Sequence, residues 1–432
     1  MKTGKLTATV LSVMALAACT KSETVYTDTD VEVGFSPVAE TATKAVYGPM
    51  GGESNSTYNT GETFGIFAWH RILANGATSA TWSDFISGAT DTDTPLYIDN
   101  GEFGYKGTYW GGTPAYYWPK TGVLAFAGYS PFDPLNGDGA LAGAVEYTLL
   151  PTNDNNAPKL TVSDFKQGTY NWATGASEVT NKTVDFMWFD ANDQNAVNFG
   201  AQSQTGVPVI FRHACSWIDF NLKPDPEDTD ASGKFQILKV TLKNVYTKGD
   251  FDSSKADDTV SGGDVNLGNA NPWTDFGYAE TGKTDIVLYD DYDGTVDVSN
   301  GTFLGTDGVP TNGTGVAELA LGKLLVIPQT LDAVSASTDP DNAAEAKSAA
   351  EIEILYKQWT VAAGETPNTE TVMIAVTGSN ATSPDAGSSK AGEWLYGRHY
   401  VYNITFGLDE ILIHPSLADW VSGGPDTSIP VE

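Results

Sequence analysis

Trp394-Leu395-Tyr396-Gly397-Arg398-His399-Tyr400-Val401-Tyr402-Asn403-Ile404-Thr405-Phe406-Gly407-Leu408 is the stretch on which the fold class turns. Trp394, Tyr396, Arg398, Tyr400, Tyr402, Ile404, Phe406 and Leu408 share one face, and Gly397, His399, Asn403, Thr405 and Gly407 fall on the other. A period of two marks a strand with one buried face, because successive side chains leave a pleated sheet on opposite sides. Outward from here the same signal recurs. Val31, Val33 and Phe35 alternate with Glu32, Gly34 and Ser36, and Pro37 is expected to end that strand. Phe64–Trp69, Val123–Tyr129, Val184–Phe189, Ile237–Val245, Ile286–Tyr289, Leu324–Ile327 and Ile352–Tyr356 continue the series, separated by clusters of Gly, Asn, Asp and Pro. Val207, Val209, Phe211, His213, Cys215 and Trp217 alternate on one face, and the apolar set changes phase at Ile218, which predicts a bulge or a strand buried on both sides. Asn342–Ala350 alone reads as helix. With 45 glycines and turn signals throughout, the class is all-β, built as sandwiches with little helix.

A chain of 432 residues accommodates two or three domains, and 41% apolar residues supply a sizeable core. Ser203-Gln204-Thr205-Gly206 is the expected boundary, dividing residues 45–206 from 207–432. The net charge of −32, from 55 acidic and 23 basic side chains, disfavours nucleic acid and anionic lipid surfaces as partners.

The N-terminus carries Lys2 and Lys5, an apolar run from Leu6 to Ala18 and small residues ahead of Cys19. That is the pattern of a secretory signal, too short for a bilayer span of about 20 residues. Leu16-Ala17-Ala18-Cys19 resembles the lipobox of bacterial lipoproteins, so residues 1–18 are expected to be a signal peptide and Cys19 the acylated new N-terminus. Residues 20–30 read as a polar tether, and 19–44 together as tether plus first strand.

The search for chemistry is negative. The chain has no His-Glu-x-x-His, Gly-x-Ser-x-Gly, P-loop or dinucleotide fingerprint. His70, His213, His399 and His414 lack metal-ligand spacing, and the acidic turn at Tyr289–Gly294 fails the calcium-loop pattern. No cofactor, metal or catalytic residue is expected. Cys215 is left without a partner once Cys19 is acylated and reads as a buried, inert thiol, although His213 shares its face. Tyr109-Trp110 and Tyr116-Tyr117-Trp118 flank a Gly-Gly turn; they suit either a core or an exposed sugar-stacking surface.

Taken together, several segments resemble the fimbrillin-like proteins of Bacteroidales, subunits of type V pili. They are the lipobox at Cys19, Thr43–Gly48, Tyr117-Trp118-Pro119, Phe126–Pro131, Phe211–Ala214, Leu325–Gln329, Gly397–Thr405 and Asp419-Trp420. The resemblance implies two tandem transthyretin-like β-sandwich domains and a structural role without enzymatic activity. It implies a lipoprotein precursor anchored by palmitate in the outer membrane and destined for a cell-surface fimbrium that mediates adhesion. It further implies a trypsin-like maturation protease that cuts after a basic residue. Lys44, followed by Ala45, is the only basic residue between Lys21 and Arg71. The strand that would leave carries Val31, Val33 and Phe35. A neighbouring pilin subunit would donate its replacement from a C-terminal tail, either Ser428–Glu432 with Ile429 and Val431 or a segment beginning near Trp420. Pro430 forfeits one ladder bond in the first of these. The rival expectation is a surface lipoprotein that captures glycan through exposed aromatics.

Acylation at Cys19 has a direct check. Cys19→Ala is expected to abolish metabolic labelling with radioactive palmitate and retention in the membrane fraction; equal labelling of wild type and variant contradicts it.

Overall fold

The computed structural model describes residues 31–39, 56–57, 60–72, 96–134, 145–154, 157–167, 170–172, 179–181, 184–194, 206–256, 272–274, 283–292, 301–306, 315–331, 350–359, 367–376 and 393–418. Among the described residues strand dominates, and the single helical element is a 3-10 turn at Ser253–Lys255. The helix expected at Asn342–Ala350 lies outside the described residues except for Ala350, and no described helix is long and apolar enough to cross a membrane.

The first large sheet runs from Val207–His213 through Met187–Gln194, Val123–Ser130, Phe64–Arg71, Ile98–Tyr105 and Trp110–Thr113 to the N-terminal strand Gly34–Ala39. The N-terminal strand also pairs in parallel with Val207–His213, so the path returns to its starting strand. All eight residues of Val123–Ser130 are buried. Leu124 and Phe126 enter one core, with Phe64, Ile66 and Phe35; Ala127 and Tyr129 enter a second, with Phe67 and Trp69. Burial on both faces explains why these two strands read as continuous apolar runs and not as alternation.

The second face is covered by a four-stranded sheet of Val145–Asp154, Ala157–Gln167, Lys248–Asp252 and Trp273–Thr274. Leu160, Val162, Phe165, Phe251 and Trp273 supply its side of the shared core. The C-terminal sandwich faces one sheet (Leu319–Val326, Ser216–Pro224, His399–Phe406, Ile411–Ala418) against another built around Phe235–Tyr246 and Glu351–Gln358. Phe406 joins the two, its ring 5.2 Å from that of Phe235 and 5.6 Å from that of Tyr356.

Several sequence expectations are corrected. The strand expected to end at Pro37 continues to Ala39, with Pro37 opposite Val209. On its other side Pro37 lies in the gap between the pairing of Gly34 and Phe35 with Trp110–Thr113 and that of Val38 and Ala39 with Ser56–Thr57, so its missing N–H costs no ladder bond there. The alternation from Val207 to Trp217 is two strands. Val207–His213 belongs to the first sheet and Ser216–Pro224 to the C-terminal sandwich, so the phase change marks the chain leaving one sheet for another. Sheet membership therefore crosses residue 206, and Lys248–Asp252 crosses it too by pairing with Ala157–Gln167. The long strand at Trp394–Leu408 is interrupted. Glu393–Trp394 pairs with Gln329–Thr330, Gly397 turns the chain with φ +65°, and His399–Phe406 runs parallel to Ser216–Pro224.

Phe406→Ala is expected to remove the contact that ties the two sheets of the sandwich, at a cost of about 3–5 kcal/mol for a buried phenyl. Urea denaturation measures it; a loss below about 1 kcal/mol, the scale of an ordinary surface change, contradicts it.

Candidate functional site

The N-terminal strand is the candidate site. Val33 and Phe35 are fully buried, and Val31 packs against the same core from a half-buried position. Phe35 sits in a cage of four phenyl rings. Its centroid lies 5.0 Å from Phe126, 5.1 Å from Phe103, 5.9 Å from Phe64 and 5.9 Å from Phe189, the first three in edge-to-face geometry. Such pairs set the positive ring edge against the negative face and stabilise beyond the area they bury. Burial of Val33 and Phe35 contributes about 1.5–3 kcal/mol each.

Main-chain bonds hold the strand on both sides. On one side Gly34 and Phe35 pair antiparallel with Gly111 and Trp110; on the other Phe35 to Ala39 pair in parallel with Val207 to Phe211. Ahead of these, the Val33 amide donates to the Tyr116 carbonyl at 2.8 Å, and the Trp118 amide to the Val31 carbonyl at 2.8 Å. Glu32 forms an isolated bridge with Tyr117, and its carboxylate accepts from the Tyr109 hydroxyl at 2.9 Å. Burial pushes the Tyr109 phenol above its ordinary range, and the bond to Glu32 adds to the rise.

Two glycines make the close approach feasible. Gly206 has φ +74°, and a Cβ there would lie 2.5 Å from the Phe35 amide nitrogen. A Cβ on Gly34 would lie 2.5 Å from the Tyr109 ring, which covers that residue. Any side chain at either position therefore pushes against the strand or its cover.

Of the expected site residues, the structure brings Val31, Val33 and Phe35 into one core. Cys19, Lys44, Ala45, Trp420, Ile429 and Val431 lie outside the described residues. Sequence reasoning missed the cage, because Phe64, Phe103, Phe126 and Phe189 stand on separate strands. The residues that flank the strand do leave a signal in the sequence, the aromatic cluster Tyr109-Trp110 and Tyr116-Tyr117-Trp118. Trp110 and Trp118 are buried, Tyr116 stacks on Phe103, Tyr109 covers Gly34, and Tyr117 alone is exposed. Four of the five thus serve the strand and its core.

Elsewhere the groups that the sequence offers for chemistry are held in structural contacts. His213 pairs with Asp185 at 2.8 Å in a buried position, and Cys215 is fully buried with its thiol pushed well up, first by burial and then by the Asp185 charge. A thiol held protonated in this way is no nucleophile. In the acidic turn Asp290 binds Lys239 at 2.6 Å and Asp291 accepts from the Gly301 amide at 2.6 Å. Among the described residues no group of three His, Cys, Asp or Glu is placed to hold a metal ion.

Among the described residues the protein is nearly all strand, with its N-terminal strand joining two edges of one sheet. A family model described as fimbrillin-like matches residues 43–420, and the chain belongs to that family. It is accordingly a non-enzymatic protein of cell-surface fimbriae, assembling with other fimbrial subunits. Among solved structures, a fimbrial protein from Bacteroides vulgatus is 14% identical, with a TM-score of 0.43, covering 91% of this chain and 100% of its own. The tip fimbrial protein Mfa3 from Porphyromonas gingivalis, with a C-terminal truncation, is 11% identical, with a TM-score of 0.30, covering 90% and 100%. No curated protein matches the chain.

The cage and the close approach can be weighed separately. Phe35→Ala is expected to cost about 3–5 kcal/mol, and Gly206→Ala about 1–3 kcal/mol from backbone strain. Guanidinium unfolding of the full chain reads both, and wild-type stability in either variant removes that residue from the account.

Proposed function

We propose that this protein is a pilus subunit that is exported as a lipoprotein through Cys19, matured by a cut between Lys44 and Ala45, and polymerised by donor-strand exchange for adhesion. The observation that carries the reading is the placement of the N-terminal strand, which pairs with Trp110–Thr113 on one side and Val207–His213 on the other. Cleavage after Lys44 would detach this strand from everything that follows it. Its departure would leave two unpaired sheet edges beside an apolar floor, a ready template for a strand from another chain.

The precursor would sit in the outer membrane through its acyl chains until a trypsin-like protease releases it. The donor would come from residues 419–432 of a neighbouring subunit, where Trp420, Ile429 and Val431 are the large apolar side chains together with Val421. The last described strand, Ile411–Ala418, ends immediately before that segment and pairs along its whole length with His399–Phe406. The tail therefore leaves from an anchored point, which suits a tether that must carry load between subunits.

Low-dose trypsin is expected to yield a fragment beginning Ala45-Val46 before the folded sheets are cut. Deleting residues 422–432, or combining Ile429→Asp with Val431→Asp, is expected to leave a folded monomer that no longer assembles after that cleavage. N-terminal sequencing and electron microscopy read the two steps. Fibres of normal length from either variant exclude the tail as donor, and an intact Lys44–Ala45 bond after extensive digestion excludes the maturation step.

A further inference from the structure

We infer that the groove occupied by residues 31–37 selects its replacement strand by one local pattern, a large apolar residue, then glycine, then an aromatic residue, and that it therefore prefers a strand of this kind from a different subunit over Ile429-Pro430-Val431 from a second copy. The inference rests on the strand-exchange reading above and ranks its donors: the tail of a second copy enters the groove, but more weakly than a strand with this pattern.

Three neighbouring positions impose the pattern. At Phe35 the floor is the four-phenyl cage, with all four ring centroids within 5.9 Å. A cage of that size, closed on a phenyl group, would be left partly empty by an isopropyl group, and an unfilled apolar cavity costs binding as it costs stability. At Gly34 the Tyr109 ring lies where a Cβ would project, 2.5 Å away. A side chain here must displace that ring, and the ring's hydroxyl is the one that binds the carboxylate of Glu32. At Val33 the seat is apolar and fully closed.

Glu32 adds a fourth preference, an acceptor facing the Tyr109 hydroxyl at 2.9 Å. The resident strand, Glu32-Val33-Gly34-Phe35, meets all four requirements.

The tail of a second copy meets few of them. Residues 421–432 contain no aromatic side chain. Aligned with Val33 to Phe35, Ile429-Pro430-Val431 puts a proline ring under Tyr109 and a valine in the cage. Trp420 is aromatic, but it stands two residues beyond Ala418, which is paired with His399 in its own sheet. Placing Trp420 at the Phe35 position puts Ala418 at that of Val33, so this end of Ile411–Ala418 would have to give up its pairing with His399. In the same alignment Asp419 would replace Gly34.

The test uses the full chain, treated with low-dose trypsin to release residues 31–37, and four labelled synthetic peptides. They are Asp30–Val38, the same peptide with Phe35→Val, the same peptide with Gly34→Val, and Pro425–Glu432. Retention by gel filtration and titration by fluorescence anisotropy give the affinities. Asp30–Val38 is expected to bind at least about tenfold more tightly than each of the other three, the scale of one lost buried contact. Uncleaved protein is expected to retain none, because its groove is filled.

Equal affinity for Pro425–Glu432 and Asp30–Val38 overturns the selectivity and leaves strand exchange standing. Equal affinity for the Phe35→Val or Gly34→Val peptide overturns the assigned determinant. Where trypsin leaves residues 31–37 in place, the full chain carrying Phe35→Asp supplies the open groove, since a carboxylate cannot remain in the phenyl cage. The same comparison is then scored on that variant. Absence of binding by every peptide to both open forms overturns the strand-exchange reading itself, and the selectivity falls with it.

Discussion

Phe35 inside its ring of four phenylalanines is the contact on which the N-terminal half of this protein depends. Each ring of the cage stands on a different strand, at Phe64, Phe103, Phe126 and Phe189. One side chain from the N-terminal segment thus gathers four strands of a single sheet around itself. The backbone that carries it joins that sheet's two ends. Core and hydrogen-bond ladder are completed by the same few residues, so neither is whole without them.

That dependence sits beside a contrasting design in the C-terminal half. There the core draws on Ile218, Phe220, Leu222, Ile237, Val240, Ile352, Ile354, Ile404 and Phe406, all on long strands in the middle of their sheets. His399–Phe406 lies between Ser216–Pro224 and Ile411–Ala418, and each partner pairs along eight residues. One half is therefore rich in redundant pairing, while the other places a decisive share of its pairing in one short strand. Under the proposed strand exchange, bearing load and giving up a strand would fall on different parts of the chain.

Much of this was readable in the residues. The runs at Phe64, Val123, Ile237 and Ile352 are strands, and the alternating Val31, Val33 and Phe35 enter one core. Strands with weak apolar patterns escaped. Ile98–Tyr105 has two glycines and several polar residues, and Ile411–Ala418 contains Pro415, which only an edge strand accommodates. Sheet membership escaped as well. Alternation says which face of a strand is buried but not which partner it finds, so Val207–His213 read as the start of one unit while pairing in the other. The cage could not be read at all, because contacts between strands far apart in sequence leave no local periodicity.

The parallel pairing of Gly34–Ala39 with Val207–His213 also orders events in time. Although this strand is among the first segments to be synthesised, its parallel partner appears only after every other strand of that sheet has been made, long after the antiparallel ones at Ser56–Thr57 and Trp110–Thr113. Long-range pairings of this kind carry the loop-closure entropy of the whole intervening chain and form slowly. The remaining strands of the sheet can assemble as neighbours while the first segment waits outside. A segment paired in this way needs no other strand to be threaded around it.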